Sequence, residues 1–259
     1  LQSAAETLVK SLVDKQNPDG GWANTTGNSD LDTTAMALTA LAAYRQDSTD
    51  YFTAWVHQIK TPLSVMRLQL QSEDTPENRA MLAELFQMEQ YVTMALSYAR
   101  LGNPTKDLVL TRVPLDPVIR QAIRDFAPLL IRKKLRLQYE PTAESALTDS
   151  KWLLFIIHQL LSNAVKYTER GRVSIRVTSA PAIIVADTGI GIAPEDVPRV
   201  FEKGYTGYNG RGGQKSTGLG LYLVHQTAEM LHCRVSLSSR IGEGTSVTID
   251  LHQEELGKE

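Results

Sequence analysis

The chain has 259 residues, enough for two ordinary domains with separate cores. Hydrophobic content of 42% and charged content of 22% fit a soluble globular protein, and a formal net charge of −2 argues against a nucleic-acid binder that works by neutralising phosphates. Cys233 is the single cysteine, which excludes an intramolecular disulfide and a thiolate metal cluster and suits a reducing cytoplasm.

Residues 1–46 differ in character from the rest. Leu8, Leu12 and Val13 share one helical face, and the Pro18 and Gly20-Gly21 breakers stop the helix. Ser29 or Asp30 caps a second helix through Ala35, Leu38 and Leu41. The segment is expected to be an appended or fused helical hairpin. No signal peptide is visible at the N-terminus, and apolar stretches such as Trp152 to Ile157 are too short to span a bilayer.

The stretch 47–103 is far more regular. Phe52, Val56, Ile59, Leu63, Met66 and Leu70 are spaced four and three apart, and Met81, Leu85, Met88, Val92, Ala95 and Ala99 resume the pattern after Thr75-Pro76-Glu77. Thr followed by Pro at the first turn is a strong helix start. Two such helices form an antiparallel hairpin with an exposed seam, and pairing with a second copy into a four-helix bundle buries it. Gly102-Asn103-Pro104 ends the hairpin, and 104–114 is expected as a linker.

From residue 115 to 253 the pattern is mixed. Leu115–Ile131, Lys151–Tyr167 and Thr217–Leu231 read as helices. Leu135–Tyr139, Arg172–Thr178, Ala182–Asp187, Cys233–Ser238 and Thr245–Leu251 read as strands. Strands in one layer and helices in the other give an α/β sandwich, so the fold class is α+β. Residues 254–259 form a tail.

Five motifs carry the chemistry. His57 follows the seam position Val56, so its ring is expected to face solvent. An exposed imidazole is nucleophilic in its neutral form, and Thr61 lies one turn on, beside the ladder-breaking Pro62. Asn163, in the run Asn163 to Thr168, offers an amide oxygen suited to a hard cation that keeps most of its waters, and Lys166 and Tyr167 follow within reach of phosphate or sugar. Asp187 ends an apolar run and precedes Gly189 and Gly191; a strand-end carboxylate there accepts from the exocyclic amine of adenine. Gly218-Leu219-Gly220 opens a helix whose free N–H groups favour phosphate. Between Glu202 and Thr217 lie five glycines with Lys203, Arg211 and Lys215, a composition that packs no core and makes a flexible lid or a disordered loop. Gly242-Glu243-Gly244-Thr245 is a hairpin turn.

In their order His57–Leu63, Asn163–Thr168, Asp187–Ile192, Phe201–Lys203 and Thr217–Leu221, these motifs resemble those of two-component sensor histidine kinases. The resemblance implies a phosphotransfer hairpin followed by a GHKL-type (Bergerat) ATP-binding fold. It implies ATP and Mg²⁺ as cofactors, His57 as acceptor of the γ-phosphoryl group, Asn163 as metal ligand and Thr245 near the adenine. It further implies a homodimer and a response-regulator partner whose aspartate takes the phosphoryl group. Thr61 matches the position that orients water for dephosphorylating that partner. The family usually has an acidic residue after the histidine; here Gln58 fixes the tautomer without serving as a base. Gln159 stands where many relatives have a second asparagine.

His57-Gln58-Ile59-Lys60-Thr61-Pro62 most resembles the intramembrane-sensing kinases of Gram-positive bacteria. That resemblance implies the cytoplasmic portion of a membrane-anchored protein, linked through missing membrane parts to an ABC transporter. Residues 16–35 resemble one repeat of the terpene-cyclase toroid, which one helix pair cannot close. Two alternatives stay open beside the kinase: a GHKL-type ATPase, against which the His-bearing hairpin argues, and a nucleotide-binding scaffold without autokinase activity, which Gln58 favours. His225 and His232 are expected to be structural.

Overall fold

Two compact units divide the chain, Leu1–Asn103 and Pro104–Glu259, and each is described by itself. The computed structural model describes residues 51, 53–101, 108–207 and 217–252. The hairpin expected over 1–46, Phe52 of the seam, Arg211, Lys215 and the tail 254–259 lie outside the described residues.

In the first unit a helix, α1, runs over 53–71, and α2 spans Pro76–Leu101. Thr75 is the cap: its hydroxyl accepts from the Asn78 N–H at 3.1 Å and its carbonyl from the Arg79 N–H at 3.0 Å. Pro76 fits the first helical position because its absent N–H has no partner to lose there. An Arg67–Glu89 ion pair ties α1 to α2 and fixes the antiparallel hairpin. Val56, Leu63 and Leu85 are buried as the seam requires, while Met66, Met81 and Met88 stay exposed. Near the end of α2 the buried positions are Leu96 and Ser97, one or two residues off the expected Ala95 and Ala99, so the seam rotates over the last turns.

The second unit is built on a five-stranded sheet. Its elements in chain order are β1 (Thr111–Pro114), α3 (Leu115–Arg132), β2 (Arg136–Tyr139), β3 (Ser145–Thr148), α4 (Ser150–Tyr167), β4 (Arg172–Val177), β5 (Ala182–Asp187), α5 (Gly220–Met230), β6 (Arg234–Arg240) and β7 (Gly244–Asp250). The strand order is β2-β4-β5-β7-β6, with only the β2–β4 pair parallel. Alternation along each strand buries Val173, Ile175, Ile183, Val185, Val247 and Ile249 on one face. There α4 packs on β4 and β5, α5 on β6, and α3 on α4.

Two features depart from the expectation. Residues 111–114, within the stretch expected as linker, form β1, which pairs antiparallel with β3 in a separate ribbon. The last long helix starts at Gly220 rather than Thr217, because Gly218 adopts φ +65°, outside helical geometry.

Candidate functional site

In the first unit His57 and Gln58 are exposed next to the buried Val56, on the flank of the hairpin. Thr61 is also exposed and donates its hydroxyl to the His57 carbonyl at 3.3 Å, so its oxygen sits one turn above the histidine.

The second unit gathers the remaining motifs at one end of the sheet. The buried Asp149 carboxylate starts α4 by accepting from the N–H groups of Lys151 and Trp152, and it also accepts from Val109 across the ribbon. At the far end of α4, Lys133 donates to the carbonyls of Val165, Lys166 and Thr168, satisfying the helix's last acceptors. Burial holds the Lys133 ammonium below the ordinary lysine range. This clamp fixes the turn that presents Asn163, Lys166 and Tyr167. The Lys166 ammonium lies 5.3 Å from the Tyr167 ring centroid, and burial lowers its pKa as well.

Asp187 closes β5 beside that turn. Its carboxylate accepts from the Gly189 N–H at 2.8 Å, and the Thr245 N–H and Thr168 hydroxyl are turned toward it. Burial nevertheless dominates and raises its pKa above the ordinary carboxylate range. Gly189 is required by close approach: a Cβ there would lie 2.4 Å from the Tyr167 carbonyl oxygen. Gly191 lies against the Arg240 carbonyl, and the Ile192 N–H donates to Ser239 Oγ at 2.9 Å. Ser239 in turn reaches the Gly244 carbonyl and the Thr245 hydroxyl, at 2.8 and 2.9 Å. The glycine loop is thereby tied to the β6–β7 hairpin.

The phosphate-type motif faces Asn163. A Cβ on Gly220 would lie 3.4 Å from Gln159 Oε1 and 4.0 Å from the Asn163 amide. So the start of α5 stands close to those two amides, and just before it the Leu219 N–H donates to the Thr217 hydroxyl at 3.4 Å. Gln159 is buried, and its side-chain nitrogen has no hydrogen-bond partner. Gly218 holds the start of the helix: the Gly204 N–H donates to its carbonyl at 3.0 Å, and Leu219 follows as the residue before α5. Lys203 is exposed immediately before this closure.

Asn163 thus stands near Gly220, and Asp187 stands with Gly189 and Thr245 beside the Tyr167 turn that ends the same helix, while Gly191 lies against Arg240 and Lys215 lies outside the described residues. His225 packs on Phe201, with ring centroids 5.5 Å apart, and His232 occupies a left-handed turn at φ 56° after α5. Sequence reasoning missed Asp149, Thr168 and Ser239. The Asp149-Ser150 start before an apolar run was a legible cap signal. Thr168 and Ser239 carried none, because a hydroxyl residue at a helix end or in an alternating strand is ordinary.

Residues 148–255 match the family described as histidine kinase-, DNA gyrase B- and HSP90-like ATPases. Over 216 residues the chain is 36% identical to the sensor protein BceS of Halalkalibacterium halodurans, covering 82% of this chain and 64% of that protein. Over 203 residues it is 37% identical to the sensor histidine kinase YxdK of Bacillus subtilis, covering 76% of this chain and 62% of that protein. The chain therefore spans just under two thirds of the length of these relatives. Among solved structures it resembles full-length ShkA in complex with AMPPNP, at TM-score 0.54 and 25% identity, over 77% of this chain and 45% of that one. A helical hairpin followed by an α/β sandwich of the GHKL ATPase type is the fold. No helix among the described residues is long and apolar enough to cross a membrane.

Proposed function

We propose that the chain is the kinase portion of a sensor histidine kinase, which takes the γ-phosphoryl group of ATP onto His57 and passes it to an aspartate of a response regulator. The observation that carries this reading is that Gly220 stands near Asn163 on α4 and Asp187 beside the Tyr167 turn that ends α4, in a chain whose preceding hairpin exposes a histidine. Similarity to sensor kinases over both units supports it.

The residues have distinct roles in this reading. Asp187 accepts from the exocyclic amine of adenine, and Gly189 and Gly191 let the backbone approach the base. The first N–H groups of α5, from Gly218 to Gly220, bind phosphate oxygens, with Lys166, Lys203 and Lys215 adding positive charge. Tyr167 borders the nucleotide, and Thr245 positions Asp187.

Mg²⁺ fits the Asn163 and Gln159 amide oxygens, hard acceptors that both stand near the start of α5, where the phosphates would lie. When bound it would neutralise charge on the phosphates. The imidazole of His57 attacks phosphorus through its unprotonated nitrogen. A N–P bond forms, the bond to the β–γ bridging oxygen breaks, and ADP leaves. Gln58 accepts the hydrogen bond of the other ring N–H and fixes the tautomer, and that proton passes to solvent. Thr61 would orient water when the regulator is dephosphorylated.

A second copy covers the hairpin face that leaves Met66, Met81 and Met88 exposed, giving a homodimeric four-helix bundle. Membrane anchoring and a link to an ABC transporter enter this reading only from the resemblance of His57–Pro62 to intramembrane-sensing kinases. The terpene-cyclase resemblance of residues 16–35 adds nothing to this reading. The test is incubation with Mg²⁺ and γ-labelled ATP, comparing the chain with His57→Gln and Asn163→Ala. Acid-labile, base-stable label lost in both variants supports the kinase; ATP binding without label supports a nucleotide-binding scaffold instead.

A further inference from the structure

The sheet of the second unit has its helices on one face, and the other face carries an uneven distribution of charge. Along β4 the inward residues Val173 and Ile175 are buried, which turns Arg172, Ser174 and Arg176 outward. In the parallel pair, Arg136 of β2 stands directly beside Arg172. Arg170 lies in the turn just before β4, and Arg132 and Lys134 flank the entry to β2. All six cations are exposed, and among the described residues none has an acidic partner within ion-pair distance. Like charges side by side on adjacent strands destabilise a sheet. In a chain of net charge −2 such a cluster is a local concentration, not a reflection of composition.

A second observation lies at the same edge. Ile131 is 75% exposed at the end of α3, between residues that are buried and the basic run Arg132-Lys133-Lys134. Lys133 turns inward to cap α4, so Ile131, Arg132 and Lys134 are what the turn presents outward. A protruding aliphatic side chain framed by cations is the arrangement that inserts at an anionic lipid interface, with the cations on headgroup phosphates. The face is an open sheet surface, which matches a plane of headgroups.

We propose that this edge, formed by Ile131, Arg132, Lys134, Arg136, Arg172 and Arg176, docks the ATP-binding unit on a bilayer surface carrying anionic headgroups. Each outward arginine adds roughly a fivefold factor to such binding. None of these side chains is among the residues assigned to nucleotide, so docking and nucleotide binding are separable.

The experiment is co-sedimentation of the full chain with vesicles of phosphatidylcholine alone or with 30% phosphatidylglycerol, at low and high salt. Binding is expected to the anionic vesicles only and to disappear at high salt. The triple variant Arg136→Gln/Arg172→Gln/Arg176→Gln should bind on the order of a hundredfold more weakly. The triple Arg→Lys variant at the same positions should retain binding, and Ile131→Ser should weaken it. A control, Arg79→Gln/Arg120→Gln/Arg124→Gln, removes equal charge from helices rather than from the sheet face and should change binding little. Unchanged ATP affinity in each variant shows that it is folded. Absence of wild-type binding to anionic vesicles would overturn the proposal, as would equal losses in the triple variant and the control. So would binding to polyglutamate without binding to vesicles, which would assign the face to an acidic protein.

Discussion

The main-chain N–H of Gly204 donates to the carbonyl of Gly218 at 3.0 Å, so the two ends of the glycine-rich segment meet at the start of α5. Gly218 itself has φ +65°, and a Cβ there would fall 2.4 Å from the Gly204 carbonyl carbon. Gly218→Ala therefore imposes both a left-handed conformation and a backbone clash. A loss of about 1–3 kcal/mol in stability is expected, with ATP affinity reduced at least about tenfold because the phosphate-facing N–H groups shift. Urea unfolding and calorimetric titration with ATP check the two effects.

The role proposed for Asp187 comes with a stability cost. Burial raises its carboxyl pKa above the unfolded value, so the folded chain holds the proton more tightly. That contribution favours folding below the ordinary carboxylate range, near ~4, and is lost as pH rises through the folded value. Asp187→Asn should consequently raise the melting temperature of the nucleotide-free protein at pH 7, with a smaller difference at pH 4. The same variant should weaken ATP binding strongly, since a neutral amide oxygen accepts more weakly than a carboxylate and the amide NH₂ adds donors where the adenine amine also donates. Thermal melts at both pH values, alongside ATP titration, measure the trade.

Gln58 sets the rate of the first chemical step in this reading. A carboxylate in its place would take the proton that Gln58 can only hold, and general-base assistance is typically worth ~10²–10⁴ in rate. Gln58→Glu should raise the initial rate of His57 phosphorylation by at least about tenfold while leaving ATP affinity unchanged. A rate that stays the same would show that proton removal does not limit the step.

Asp149 is a structural counterpart. Its buried carboxylate holds two N–H groups of α4 and that of Val109. Asp149→Ala leaves those donors without an acceptor, and a loss of about 2–3 kcal/mol is expected from denaturant unfolding of the ATP-binding unit. His57, on the other unit, should keep its exposure to histidine-modifying reagents.

The hairpin and the sandwich were legible because their signals are local. Heptad spacing with Thr75-Pro76 marks α1 and α2, and alternation in Ile183 and Val185 marks a one-sided strand. The motifs of the proposed site were legible as well: Asn163, Asp187 and Gly218 each stand in a motif whose order along the chain is distinctive. What remained hidden depends on partners distant in sequence. β1 is four residues long and becomes a strand only through Ala146 and Leu147, more than thirty residues on. The late start of α5 follows from the contact of Gly218 with Gly204, which propensity does not encode. The Arg136–Arg172 neighbourhood likewise appears only once β2 and β4 are paired in parallel.

The central claim is transfer of the γ-phosphoryl group from ATP in the Asn163–Asp187–Gly218 pocket to His57. The measurement that addresses it most directly is mass-spectrometric localisation of the phosphoryl group after reaction with Mg-ATP, with samples kept alkaline. The expected result is phosphorylation on His57 alone, absent in Asp187→Asn. Phosphorylation at another residue, or an unmodified His57 in a protein that binds ATP and hydrolyses it, would contradict the claim.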